Sequence, residues 1–278
     1  MMHRIRAWLS AKEYVSVPGN RSVSDNGAYI AAVQAALLSP KVFARFKKMP
    51  AYRAILEHVT EIGGSEYLEI IRRESPDILD SIDALKDNDL VGGGDVFDYP
   101  GVGRIGPSTL RYIKVASDLR RYFGDEFGCV VEIGIGYGGQ LLVSDRLMSI
   151  ERCDLLDLAP VLRLASKYLE AHVLRGSYRA VTLNQHPGDV TYDLVVSNYA
   201  FSELPSALQK RYVEKIMMRA KRGYLTMNSG RPGCAFLDDK LALEDLMSMI
   251  PGIEILPERP STHPGNYIVI WGHRTQVG

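Results

Sequence analysis

Chemistry in this chain is most visible where an apolar run ends in an acid and is followed by glycine at every second position. The segment reads Val130-Val131-Glu132-Ile133-Gly134-Ile135-Gly136-Tyr137-Gly138-Gly139-Gln140. Glycine lacks a Cβ and accepts positive φ, so a buried strand leading into such a turn brings bare backbone close to a ligand. An acid two residues before the first glycine suits a ligand with an ammonium or sulfonium charge better than a pyrophosphate. That is the arrangement expected for S-adenosylmethionine. Gly134, Gly136 and Gly139 also satisfy the dinucleotide fingerprint G-x-G-x-x-G. The turn alone leaves both readings open, and the residues downstream must separate them.

The elements that would position this turn alternate from Cys129 onward. Strands are predicted at Cys129–Ile133, Cys153–Leu156, Tyr178–Leu183, Tyr192–Ser197, Gly223–Met227, Ile253–Leu256 and Tyr267–Trp271. Helices are predicted at Gly138–Leu147, Pro160–Leu174, Leu204–Ala220 and Leu241–Ile250. Continuous apolar strands alternating with helices argue for a parallel sheet covered on both faces. Only a turn-rich loop, Pro257–Asn266, separates the last two strands, so these should pair antiparallel. The expected fold is α/β and Rossmann-like, with seven strands of which the last is reversed. Class I methyltransferases have this arrangement, whereas a nicotinamide-binding domain usually continues with parallel strands.

Ligands of open α/β sheets bind beyond the carboxyl ends of the strands, so the residue after each strand is a candidate. Asp157 follows the second strand, 23 positions after Gly134, close to the spacing of about 20 for a ribose-binding acid; a helix N-cap is the plain alternative. Leu158 beside it could cover one face of adenine. Asn184 follows the third strand and could meet the adenine amino group, or be a turn residue. Asn198, Tyr199 and Glu203 follow the fourth, where the methyl donor would face them. Asn228 follows the fifth, and His263 lies in the loop after the sixth.

Upstream, residues from about Ser24 to Leu85 carry helical spacing. Tyr29, Ile30, Val33, Ala36 and Leu37 form one stripe, and Val42, Phe43 and Phe46 form another. Pro50 should start a helix that Gly63-Gly64 breaks. Asn88–Pro107 reads as a connector and Leu110–Phe123 as a helix. The expected division is 1–106, a helical region that covers the site or forms a dimer contact, and 107–278, the ligand-binding domain.

Lys+Arg and Asp+Glu both number 33, so no basic surplus points to nucleic acid or an anionic membrane. Three widely spaced cysteines, Cys129, Cys153 and Cys234, give neither a zinc spacing nor a paired framework, which fits a reducing cytoplasm. No run approaches the roughly 18 apolar residues that span a bilayer.

The chain resembles the sugar O-methyltransferase family of bacterial S-adenosylmethionine-dependent enzymes, found in polysaccharide and natural-product pathways. Asn88-Asp89, Gly106-Pro107-Ser108-Thr109-Leu110-Arg111-Tyr112, the acid–glycine turn, Leu156-Asp157-Leu158, Val196 through Leu204 and Gly223 through Asn228 carry the likeness. It spans roughly Asn88 to Asn228. Ile135 stands where the family often has another glycine, and Gly92-Gly93-Gly94 where it more often has proline. The resemblance implies methyl transfer to a sugar hydroxyl of a small-molecule acceptor. It also implies that Thr109, Arg111 and Tyr112 close the site. A base taking the hydroxyl proton should help by roughly 10²–10⁴-fold; Glu203 is the first candidate and His263 the second. No metal-ligand cluster stands out, although Glu203 with Asn228 is where a magnesium ion would be sought. Two other functions remain open. One is a nicotinamide-dependent oxidoreductase, for which no Tyr-x-x-x-Lys pair is found in a suitable helix; the other is a non-catalytic methyltransferase-like subunit.

Overall fold

The computed structural model describes residues 27–228 and 239–273. Helix α1 (Gly27–Leu38) is followed by the single turns α2 (Pro40–Phe43) and α3 (Pro50–Arg53), helix α4 (Glu61–Glu74) and the single turn α5 (Ile82–Leu85). A small hairpin, β1 (Phe97–Tyr99) and β2 (Gly103–Ile105), then leads into α6 (Pro107–Phe123). The alternating part runs β3 (Glu126–Ile133), α7 (Gly139–Leu147), β4 (Ser149–Leu156), α8 (Ala159–Leu169), β5 (Ser177–Val181) and β6 (Leu194–Asn198). It continues with α9 (Ser206–Lys215), β7 (Gly223–Met227), α10 (Leu243–Met249), β8 (Glu254–Pro257) and β9 (Tyr267–Trp271).

One seven-stranded sheet has the order β5-β4-β3-β6-β7-β9-β8. β3 pairs parallel with β4 and β6, β4 with β5, and β6 with β7; β9 is antiparallel to both β7 and β8. This is the Rossmann-like fold of class I methyltransferases, preceded by helices. Successive strand residues face opposite sides. Val130, Leu155 and Val196 enter the core beneath α6, α7 and α8, while Val131, Leu156 and Val195 enter the core beneath α9 and α10. Apolar side chains on both faces are why these strands read as unbroken hydrophobic runs.

The N-terminal helices share the first of these cores. Tyr29, Val33 and Ala36 of α1 belong to the same buried cluster as Val161, Leu164 and Tyr168 of α8. Lys167 of α8 donates to the Ala36 and Leu37 carbonyls at 3.1 and 3.2 Å, satisfying groups left open at the end of α1.

Two expectations for this region need correcting. Gly63-Gly64 does not break a helix but lies within α4, whose N-cap Thr60 accepts the Gly63 N–H at 3.1 Å. Gly64 is small because the β1–β2 hairpin packs there: a Cβ would come within 2.8 Å of Tyr99 Cζ and 3.0 Å of Pro107 Cβ. The connector from Asn88 to Pro107 also contains that hairpin, whose three-residue strands are too short to show a period. Cys129 and Cys153 lie in β3 and β4 with free thiols; Cys234 lies outside the described residues. Among the described residues, no helix is long and apolar enough to cross a membrane.

Candidate active site at the carboxyl edge of the sheet

The strand order switches at β3, which has β4 on one side and β6 on the other. Open α/β sheets bind ligands at such a crevice. The register sets Glu132 opposite both Leu155 and Val196, so the turns after β3, β4 and β6 open together.

The turn after β3 is left-handed at Gly134, Gly136 and Gly138, with φ of 77°, 58° and 98°. Protein packs closely on it. A Cβ on Gly134 would overlap the Ala200 side chain, and one on Gly136 would lie 3.0 and 3.1 Å from the Leu56 methyls. The glycines are therefore demanded by backbone conformation and by neighbouring side chains. The segment after α3 roofs the turn through Leu56.

Asp157 closes the turn from the β4 side. Its carboxylate accepts the Leu158 N–H at 2.7 Å and the Gly136 N–H at 3.3 Å. Leu158, not Asp157, occupies the N-cap position of α8. Burial pushes the Asp157 carboxyl up to about 6, against the lowering effect of those backbone donors. Glu132 is 5% exposed. Burial, and secondarily the charge of Asp157, hold its carboxyl well above the usual range. Among the described residues, no hydrogen bond or ion pair reaches the Glu132 carboxylate. Two buried acids, one of them unpartnered, form a recess in which ionisation is costly until a donor or cation enters.

Tyr29 of α1 lies over the same edge. Its hydroxyl feels Asp157 and Glu203 and is pushed well above its ordinary value, chiefly by burial. Asn88 ties the upstream segment to the turn. Its amide donates to Thr109 Oγ1 at 2.7 Å and to the Tyr137 hydroxyl at 3.1 Å, while its carbonyl accepts from Lys47 Nζ at 2.6 Å. Thr109 also donates to Asp89 at 2.6 Å. The Tyr137 ring is buried in a cluster with Phe46, Tyr52, Tyr112 and Tyr168. Thr109, Tyr112 and Tyr137 thus brace the turn through their side chains.

At the end of β6, Tyr199 is the one non-glycine residue with positive φ among the described residues, at 66°. Such a conformation costs on the order of 1–3 kcal/mol for a bulky residue and persists only where its surroundings hold it. Its N–H donates to the Thr226 carbonyl at 2.9 Å. Its hydroxyl donates to Glu258 and lies 3.3 Å from Thr262 Oγ1, which fastens the β8–β9 loop to the end of β6. Glu203 ends the short 3₁₀ turn Ala200–Glu203, and its carboxylate accepts from Asn228 Nδ2 at 3.0 Å. Asn198 donates to Gln140 at 3.3 Å and accepts from Thr226 at 3.4 Å. Arg111 of α6 is buried, with its guanidinium 5.2 Å from the Tyr112 ring centre.

Two predicted residues lie at the exposed surface. Asn184 is exposed, and its side-chain oxygen accepts from Arg211 of α9 at 2.8 Å. His263 is exposed in the β8–β9 loop, its ring nitrogen 3.0 Å from the Pro264 carbonyl. Sequence reasoning missed Tyr29, Leu56 and Glu258 as site neighbours. Glu258 is an acid just past a strand, so the rule that found Glu132 and Asp157 also reaches it. Tyr29 and Leu56 carried no signal beyond an apolar stripe.

No protein-family model matches the sequence, and no curated protein does. Among solved structures, the N-terminal domain of EvdMO1, determined with SAH and D-fucose, aligns with a TM-score of 0.43 at 15% identity, covering 72% of this chain and 97% of that one. TehB from Haemophilus influenzae aligns with a TM-score of 0.43 at 14% identity over 58% of this chain and 61% of that one. The YcgJ protein of Bacillus subtilis aligns with a TM-score of 0.41 at 13% identity over 53% and 70%. These likenesses are distant, and the fold rests on the strand order and register of the sheet itself.

Proposed function

We propose that the protein is an S-adenosylmethionine-dependent O-methyltransferase acting on a sugar hydroxyl of a small-molecule acceptor. The observation that carries this reading is the unpartnered, buried Glu132 carboxylate beside Asp157, on a turn at the switch point of the sheet. An ammonium or sulfonium ligand relieves that pair, whereas a pyrophosphate repels it. The residues fit S-adenosylmethionine: Glu132 for the amino group, Asp157 with Leu158 for the ribose and adenine side, and Asn198 with Tyr199 toward the reacting end. When bound, the donor supplies a methyl group already activated by its positive sulfur.

The protein's own task is then positioning, the larger part of the acceleration in such a displacement. Tyr29 and Leu56 roof the crevice and exclude water. Asn228 donates to one oxygen of the Glu203 carboxylate and so helps to aim it; Glu203 is the first candidate to take the acceptor hydroxyl proton. His263 is the second candidate for that proton. The sugar as acceptor rests on the sequence resemblance, as does a place in polysaccharide or glycosylated natural-product biosynthesis.

Calorimetry with S-adenosylhomocysteine and with NAD tests the reading. Binding of the first and not the second is expected. The reverse would establish the nicotinamide alternative, and mass spectrometry of a methylated glycoside would separate an enzyme from a non-catalytic subunit.

A further inference from the structure

A cavity separate from the crevice lies in the helical region. It measures about 190 Å³ and is bounded by the segment after α3, the first residues of α4 and β1, and Pro107 at the start of α6. None of its lining residues belongs to the turns after β3, β4 or β6. Sites for drug-sized ligands enclose roughly 300–1,000 Å³, so this one suits a single small ring.

Its wall carries charges of both signs. Arg53 and Asp95 line it near solvent and are paired with each other at 3.0 Å. Deeper in, Glu57 and Lys47 line it without forming an ion pair, and Glu57 Oε1 is buried with no hydrogen-bond partner. Lys47 is 2% exposed. Its ammonium has three N–H donors; one reaches the Asn88 carbonyl at 2.6 Å, and the nitrogen lies 4.2 Å from the Tyr137 ring centre. Burial lowers the ammonium from its usual range, against the charges of Glu57 and Asp89. The carboxylate attracts Lys47 without satisfying it.

A buried acceptor and a buried donor on one cavity, not bonded to each other, call for a ligand that offers both functions. Hydroxyl groups do, since each donates and accepts. A phosphate would meet the three carboxylates of Glu57, Glu61 and Asp95, and an ammonium would meet Lys47 and Arg53. Apolar groups complete the wall: half-buried Phe97, with Val59 and Pro107. The face of an aromatic ring is negative and attracts the C–H bonds on one side of a sugar ring.

We propose that this cavity binds a neutral pyranose, with Glu57 accepting from its hydroxyls, Lys47 donating to them and Phe97 against the ring. It is a subsite for a sugar unit other than one held in the crevice, and it stands independently of the donor reading.

The test is nuclear magnetic resonance on the full chain, with the methyl pyranosides of glucose, galactose, mannose and fucose as probes. At least one should bind the wild type and shift the amide signals of Glu57 and Phe97. Glucose 1-phosphate should bind no more tightly than methyl glucoside. Glu57→Gln, which keeps the shape, should weaken the bound glycoside at least about tenfold, and Val59→Phe, which fills the cavity, should abolish its binding. Absence of binding by every glycoside overturns the assignment, as does tighter binding of the phosphate. Shifts confined to the ends of β3 and β6 overturn it even where neither variant folds, because they place the sugar in the crevice. Binding that both folded variants retain, or that only Glu203→Gln weakens, overturns it as well. Affinity for S-adenosylhomocysteine is measured apart and bears on the donor reading alone.

Discussion

Glu132→Gln should move stability and ligand binding in opposite directions. The side chain is 5% exposed at the end of the central strand β3, and glutamine matches its shape, so packing is preserved while the charge is removed. Burial and Asp157 raise the Glu132 carboxyl well above the usual range. In the folded chain this group therefore holds a proton at pH values where the unfolded chain has released it. The folded state binds more protons in that window, so stability falls as pH rises through it. Asp157, raised from 3.8 to about 6, acts in the same direction between those values. Glutamine removes the Glu132 contribution. The ligand-free variant should therefore melt higher than wild type at pH 8, by roughly 2–4 °C for each kcal/mol gained, with the advantage shrinking toward pH 5. Donor binding should lose a charge-assisted hydrogen bond, about 1.5–3 kcal/mol, which at about 1.4 kcal/mol per decade is roughly 10- to 150-fold weaker affinity for S-adenosylhomocysteine. Differential scanning fluorimetry across pH and isothermal calorimetry measure both quantities. A variant that melts lower at pH 8 and binds the ligand as wild type does would refute the reasoning.

Three other outcomes are expected. Gly134→Ala, which puts a Cβ at φ 77° against the Ala200 side chain, should destabilise by at least about 2 kcal/mol from backbone strain and overlap; a denaturation midpoint within error of wild type would contradict it. Glu203→Gln should keep ligand affinity within about twofold and lower turnover roughly 10²- to 10⁴-fold, and an unchanged rate would remove Glu203 from the reaction. Tyr199→Phe deletes the hydroxyl that joins the end of β6 to Glu258 and Thr262 and leaves a buried acid short of one donor, costing about 1–3 kcal/mol; faster proteolysis or hydrogen exchange in residues 258–266 is the readout.

The sheet could be read from sequence because its strands are apolar on both faces and its helices amphipathic. Even the reversed last strand followed from the absence of a crossover helix. Strand starts were harder: β3 and β4 begin at Glu126 and Ser149, earlier than expected, because their first residues carry exposed polar side chains such as Glu126 and Glu151. The acids after the strands were legible for the same reason as the strands. The roof of the crevice was not. Tyr29 and Leu56 reach it from helical stripes that look like ordinary packing surface, and the Leu56 carbonyl is held by Arg111, 55 positions away in sequence. Gly64 was misread as punctuation because its reason lies in a tyrosine 35 positions further on.

The placement of β9 between β7 and β8 sets an order on assembly as the polypeptide is made. Until Tyr267–Trp271 is available, the open flank of β7 and the whole of β8 lack their hydrogen-bonding neighbour. Nascent chains must hold that flank exposed, a template for pairing with other chains. Truncation just before Tyr267 should therefore yield aggregates rather than a smaller soluble sheet.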